Sequence, residues 1–429
     1  MTEDPRAGLA AGFRGERRRA ATIALAMLVG VNVLSQLDRQ VMNVLVEDVR
    51  AEFGLGDAQL GGLVGLAFAM FYSFAGFPLA RLADRGNRRN LIVGALAVWS
   101  LMTAFCGLAR SYVELFLARV GVGVGEAGCA PAAQSLISDY FPPSHRGRAL
   151  STYQLGVPIG ILIGTTLGGA LSDHLGWRTI FFLFGVPGLA VALLTRLVLR
   201  EPPRGFAEGR EDVGVEPVRD VLAYFWSRRS MRQILVAATL HTMAIGAHVT
   251  FNFAFLVRVH GFTGAEAGLV IGVMTGVFGV IGTYAGGWLG DRFGVRDARW
   301  YVWWLGIGAA VSIPLTVLGY LAPSPLIAVG ALSLGALGSY MYAGACHVVA
   351  QSLARPRMRG MTAATMLFAM NLVGYGLGPP IAGAISDALG GEGALRYALA
   401  AMNLVLAWAC VHYWLAARTY RADLADGKA

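Results

Sequence analysis

The chain has 429 residues, of which 56% are hydrophobic and 14% charged, with a formal net charge of +9 and a mean hydropathy of +0.57. A soluble domain carries about 25% charged residues, and a chain this apolar has too few polar side chains to cover a surface facing water. Composition therefore excludes a soluble globule and predicts an integral membrane protein. The basic excess would suit nucleic acid, but the arginines sit in loops between apolar runs, which is the pattern of membrane topology. No nucleic-acid partner is expected.

A membrane-spanning helix needs about 20 mostly apolar residues. Twelve segments meet that length: 20–47, 58–82, 91–109, 113–139, 148–172, 179–199, 233–257, 266–290, 300–321, 325–353, 361–387 and 395–416. They lack alternation and are too long for barrel strands, so the predicted fold class is all-α polytopic, with two six-helix bundles. A tail over 1–19 leads straight into the first segment without a cleavable signal. The first bundle occupies 20–199, a Pro- and Gly-containing linker 200–232, the second bundle 233–416 and a C-terminal tail 417–429. With the N-terminus in the cytoplasm, 28 of the 35 basic residues fall on the inner side. Both termini are therefore expected in the cytoplasm. The four cysteines, Cys106, Cys129, Cys346 and Cys410, all lie in apolar runs and form neither a disulfide framework nor a metal site.

The two halves repeat each other. "LADRGNRR" (82–89) answers "GWLGDRFGVR" (287–296), and the two Asp-Arg pairs stand 207 residues apart. "HRGRA" (145–149) answers "MRGMT" (358–362), and "SDHLG" (172–176) answers "SDALG" (386–390). Three matches at offsets near 210 indicate a duplicated six-helix unit.

These residues resemble the major facilitator superfamily. Its loop signature stands nearly unaltered at 287–296, while the first copy departs from it at Ala80 and Asn87. "GVPIGILIG" (156–164) and "GYGLGPPIAG" (374–383) carry its glycine-proline pattern. The first half also resembles the spinster family, through Asp38-Arg39, the run from Arg119 to Glu126, and Asn87 within D-R-x-N-R. The resemblance implies a proton-linked transporter of lysophospholipids or sphingosine-1-phosphate that works by alternating access. The second half is less distinctive.

Asp38, Arg39, Arg119 and Glu126 are charged residues placed well inside the segments, whereas Glu114 and Asp139 lie near the ends of theirs. Such residues are expensive in a bilayer and mark pathways. Asn32, Ser35, Arg39 and Asn43 share one helical face, as do Arg119 and Glu126. The picture is of two polar faces opposed across a cavity, against the alternative of two ion pairs that only fix helix packing. Asp38 and Glu126 are assigned as proton acceptors. Arg39 and Arg119 are assigned to an anionic headgroup, which guanidinium binds in bidentate fashion. Phe68, Phe71, Met70, Phe251, Phe253 and Met274 are available for an apolar wall. Tyr340, Tyr342, Gln351, Asn371 and Tyr375 are available to line the cavity from the second half.

Asp84, Arg85, Arg88, Asp291 and Arg292 read as a cytoplasmic gate, against ordinary topogenic charge. "GVGEAG" (123–128) matches a dinucleotide fingerprint, but it has no preceding strand and lies inside an apolar span. There, Glu126 is expected to face the cavity. No nucleophile–base set, phosphate loop or metal cluster is present in the sequence, so the chain reads as no enzyme and needs no cofactor beyond protons. The expected partners are the bilayer and an amphipathic anionic lipid, and a monomer in a bacterial-type inner membrane is expected. The alternatives are a proton-coupled transporter of small organic anions or drugs, and a lipid scramblase without ion coupling.

Overall fold

The computed structural model describes residues 5–202, 218–355, 358–391 and 393–426, without the side chains of 5–18, 84, 143, 144, 218 and 426. Among the described residues every regular element is helical. Among the described residues, eleven helical stretches are long and apolar enough to cross a membrane. The remaining span, fourth in chain order, is split into Tyr112–Glu126 and Cys129–Tyr140. Spans one to six make the N-terminal half and spans seven to twelve the C-terminal half.

Prolines account for the breaks in spans four and five. A proline ring inside a helix clashes with the carbonyl four residues earlier. Pro131 thus acts on Ala127, and the fourth span breaks between Glu126 and Cys129. Pro158 acts on Gln154, where the first part of span five, Pro143–Gln154, ends and Gly156–Ser172 begins. Three spans carry a wide π-helical turn: Gly62–Leu66 in span two, Met274–Gly279 in span eight and Met370–Tyr375 in span eleven. Pro379, four residues after Tyr375, lies just beyond the last of these. Such turns collect at functional sites.

The boundaries differ from the sequence expectation at two places. The expected linker contains a helix, Val218–Ser227, whose Val221 and Phe225 are buried against the C-terminal half. The last helix runs on to Asp426. Ala417 and Tyr420 are buried there, and Asp423 accepts from the Ser230 backbone N–H at 2.8 Å. Both segments are amphipathic with short apolar stripes, too brief to register as membrane-length runs.

Large apolar side chains such as Leu82, Leu117, Leu193, Leu326 and Leu404 point outward, as lipid-facing positions require. The interior instead holds polar groups, among them Asp38, Arg119 and Glu126 at 1–3% exposure.

Candidate functional site

The two halves enclose a central cavity of about 240 Å³. Its N-terminal wall includes Gln36, Arg39, Gln40, Asn43, Phe68 and Arg119, and its C-terminal wall Val249, Thr250, Asn252, Thr275, Asn371 and Tyr375. All three π turns deliver a residue to it, namely Gly65, Thr275 and Asn371. The formal charges on the lining are Arg39 and Arg119, both cationic and both from the N-terminal half.

Arg39 bridges the wall to the protein behind it. Its Nε donates to Glu126 Oε2 at 2.7 Å, joining spans one and four. The Ser35 hydroxyl donates to the same oxygen at 3.0 Å. The Arg39 side chain keeps 28% of its surface open, while Glu126 keeps 1%. Its guanidinium lies 4.7 Å from the Phe68 ring centre and 5.0 Å from that of Tyr72. Arg119 is placed differently. It lies 5.6 Å from the Phe68 ring, is 1% exposed, and its buried Nε and Nη1 bond to nothing. A buried guanidinium without hydrogen-bond acceptors is costly.

The carboxylates stand behind the wall and do not line it. Asp38 accepts from the Thr103 hydroxyl at 3.4 Å, and its second oxygen has no partner. Glu126 likewise keeps Oε1 unpartnered. One ion pair is therefore made, Arg39–Glu126, and Asp38 and Arg119 form no salt bridge.

Other expected residues scatter. Asn43, Phe68 and Asn371 line the cavity, and so do Tyr340 and Tyr375. Asn32 instead donates to the Tyr153 carbonyl of span five at 2.9 Å. It lies one turn before Gln36, the first cavity residue of that helix, and Ser35 points to span four. Phe71 is absent from the lining. Tyr342 is buried, stacked 3.9 Å from His241 and bonded to Thr242 at 3.0 Å. Phe251 and Phe253 pack in the core. Gln36, Gln40, Thr250 and Asn252 were not singled out from the sequence. A neutral polar side chain inside an apolar run is the mark they leave there.

A second, apolar pocket of about 170 Å³ lies between spans two, four and eleven. Tyr72, Phe77, Pro131, Leu367 and Phe368 line it, and Asn371 belongs to both cavities.

Between pairs of described residues, the hydrogen bonds and ion pairs joining the halves lie on one face, away from the termini. Arg258 of span seven binds Glu47 at 2.6 Å and Asp57 at 2.8 Å. Asp387 accepts from the backbone N–H groups of Asp57 and Ala58 at 2.8 and 2.9 Å. Asp173 accepts from those of Gly264 and Ala265 at 2.8 and 3.0 Å. Glycines permit this closure. A Cβ on Gly268 would strike the Thr165 carbonyl, and one on Gly383 would strike the Asp57 backbone. Asp48, on the surface helix Val46–Phe53, has its pKa raised by burial and by the neighbouring Glu47 and Asp173 carboxylates.

The residues expected as a gate near the termini lie apart. Arg88 is buried in the N-terminal half, where it binds Asp139, Glu201 at 2.7 Å and the Pro202 carbonyl at 3.0 Å. It ties span three to span four and to the start of the linker within one half. Asp291 accepts from Tyr301 of its own half at 3.3 Å, and Arg85 and Arg292 are exposed. The Asp84 side chain lies outside the described residues.

The Major Facilitator Superfamily model matches residues 28–374. A bacterial homologue of the human lysosomal transporter spinster, solved inward-facing and unoccupied, superposes with a TM-score of 0.87 at 31% identity, covering 94% of this chain and 98% of that one. The chain belongs to the major facilitator superfamily and is of the spinster type. An "MFS-type efflux pump" of Mycolicibacterium smegmatis is 34% identical over 424 residues, 96% of each chain. Human "Protein spinster homolog 1" is 35% identical over 202 residues, which is 45% of this chain and 37% of that protein. This spinster-type chain is an integral membrane secondary transporter and not an enzyme.

Proposed function

We propose that this transporter moves an amphipathic anionic lipid, of the lysophospholipid kind, against or with a proton gradient. The observation that carries the reading is Arg119, a guanidinium at the cavity wall with buried N–H groups and no acceptor. An anion entering the cavity supplies the missing acceptors, and two guanidiniums favour a phosphate. The central cavity has room for a headgroup rather than a whole lipid. The apolar pocket reached past Asn371 offers a place for the chain.

Arg39 links the anion to the proton. With Glu126 ionised, Arg39 is held at 2.7 Å. A proton on Glu126 weakens that hold and releases Arg39 toward the headgroup. Asp38, buried behind the same wall, is the second acceptor. Protonation thus favours the loaded site by changing what the guanidiniums bind. The termini lie in the cytoplasm of a bacterial-type inner membrane, the tied face looks outward, and the state described is inward-facing. The chain works as a monomer.

A second reading, a small organic anion as substrate, draws on the 240 Å³ volume of the central cavity. Purified protein in liposomes separates the two. Lysophospholipid movement that follows an imposed pH gradient supports the proposal. Movement that ignores the gradient supports an uncoupled scramblase, and transport of small anions alone supports the second reading.

A further inference from the structure

We infer that a second, uncharged subsite opens off the central cavity in the C-terminal half and receives a neutral oxygen of the substrate, a hydroxyl or an ester carbonyl. This rests on the lipid reading above and narrows it.

A chamber of about 30 Å³ adjoins the cavity, and His248, Asn252, Thr275, Tyr320, Ser339 and Tyr340 line it. Asn252, Thr275 and Tyr340 also line the central cavity, so the two spaces meet at these side chains. The volume holds one oxygen-sized group. No carboxylate, lysine or arginine lines it, so it offers a phosphate no opposite charge.

Its polar groups are oriented. The Tyr320 hydroxyl donates to Asn252 Oδ1 at 2.8 Å, which leaves the Asn252 amide nitrogen as a donor with no protein acceptor. Asn252 is 5% exposed and Tyr320 1%, so the pair is fixed within the helix packing. His248 Nε2 meets the Leu399 carbonyl at 3.1 Å, and a carbonyl only accepts, so that nitrogen donates outward from the chamber. What remains in the chamber is an amide donor beside hydroxyls, a site for a neutral acceptor. The guanidiniums occupy the opposite wall of the same cavity. A substrate with an anion at one end of its headgroup and a neutral oxygen a few bonds away engages both halves at once.

The test compares lysophosphatidate with an alkyl monophosphate of equal chain length, which lacks both ester and hydroxyl. Initial transport rates are read in proteoliposomes of the full-length protein. The parent chain should prefer lysophosphatidate by roughly tenfold, the size of a well-made hydrogen bond. Asn252→Leu should bring the ratio close to one while alkyl phosphate transport persists, which also shows that the variant is folded. Tyr320→Phe, which unpins the amide, should give an intermediate ratio. An unchanged ratio in Asn252→Leu overturns the subsite, as does a parent chain that moves both probes alike. Should Asn252→Leu move neither probe, Tyr320→Phe decides, and an unchanged ratio there counts against the subsite. A parent chain that moves neither probe instead removes the lipid reading, and with it the guest assigned to the chamber.

Discussion

Asp173 and Asp387 occupy equivalent places in the two halves, and each accepts two backbone N–H groups from the start of the second span of the opposite half. Both come from the repeated Ser-Asp motif, at 172–173 and 386–387. A carboxylate at a helix N-terminus gains from the unpaired N–H groups and from the helix dipole. The structure is thus latched twice on one face by the same device, once in each direction.

Removing the charge should loosen the latch. Asp173→Asn and Asp387→Asn should each destabilise the closed face by about 1–2 kcal/mol, and the pair should act additively. Spin labels or fluorophores across that face should report a larger open fraction in each single variant. Distances identical to the parent chain in the double variant would remove the latch from the account.

Arg258 adds the only guanidinium that, among described residues, spans the halves, through Glu47 and Asp57. Arg258→Ala should open the same face by about 2–3 kcal/mol, since two carboxylates lose their partner. Arg258→Lys should recover only part of this, because an ammonium cannot hold both carboxylates in the fork geometry. Full recovery by lysine would show that charge alone matters.

Gly268 should tolerate no side chain while the face is closed. Gly268→Val places atoms into the Thr165 carbonyl, so the variant should fold yet fail to close, with low transport and a cysteine introduced beside the tied face permanently reactive to thiol probes. Normal cycling in Gly268→Val would contradict the close approach.

Much of this was legible from the sequence. The spans, the repeat and the four intramembrane charges follow from composition and period, because lipid forbids exposed polar backbone and leaves long apolar runs as the one solution. The latch was not legible in role. The Ser-Asp motif marked the duplication, but a carboxylate bound to backbone N–H groups leaves no mark on its partner's sequence. The partners of Arg88 were hidden too: its charge beside Asp84-Arg85 suggested a gate, and in this structure its fork binds Asp139 and Glu201 of its own half. The depth of Glu126 behind Arg39 was also hidden, since helical period gives a face but not a layer.

Acid should stabilise the fold through Asp48. Burial, with help from the Glu47 and Asp173 carboxylates, raises its pKa above the ordinary carboxylate value. The folded chain therefore binds that proton more tightly than the unfolded one, and stability gains as the pH falls through the raised value. Asp48→Asn should raise the melting temperature at neutral pH and flatten this part of the pH dependence. A steeper dependence in Asp48→Asn would contradict the sign.

In the proposed cycle Glu126 holds Arg39 until a proton frees it for the substrate anion. The direct test is the affinity of the detergent-purified protein for lysophosphatidylglycerol, whose phosphodiester stays ionised across the range, measured from pH 8 to pH 5. Binding should tighten as the pH falls in the parent chain, and should be tight at every pH in Glu126→Gln. Glu126→Gln binding that is no tighter at pH 8 and retains the parent's pH dependence would contradict it.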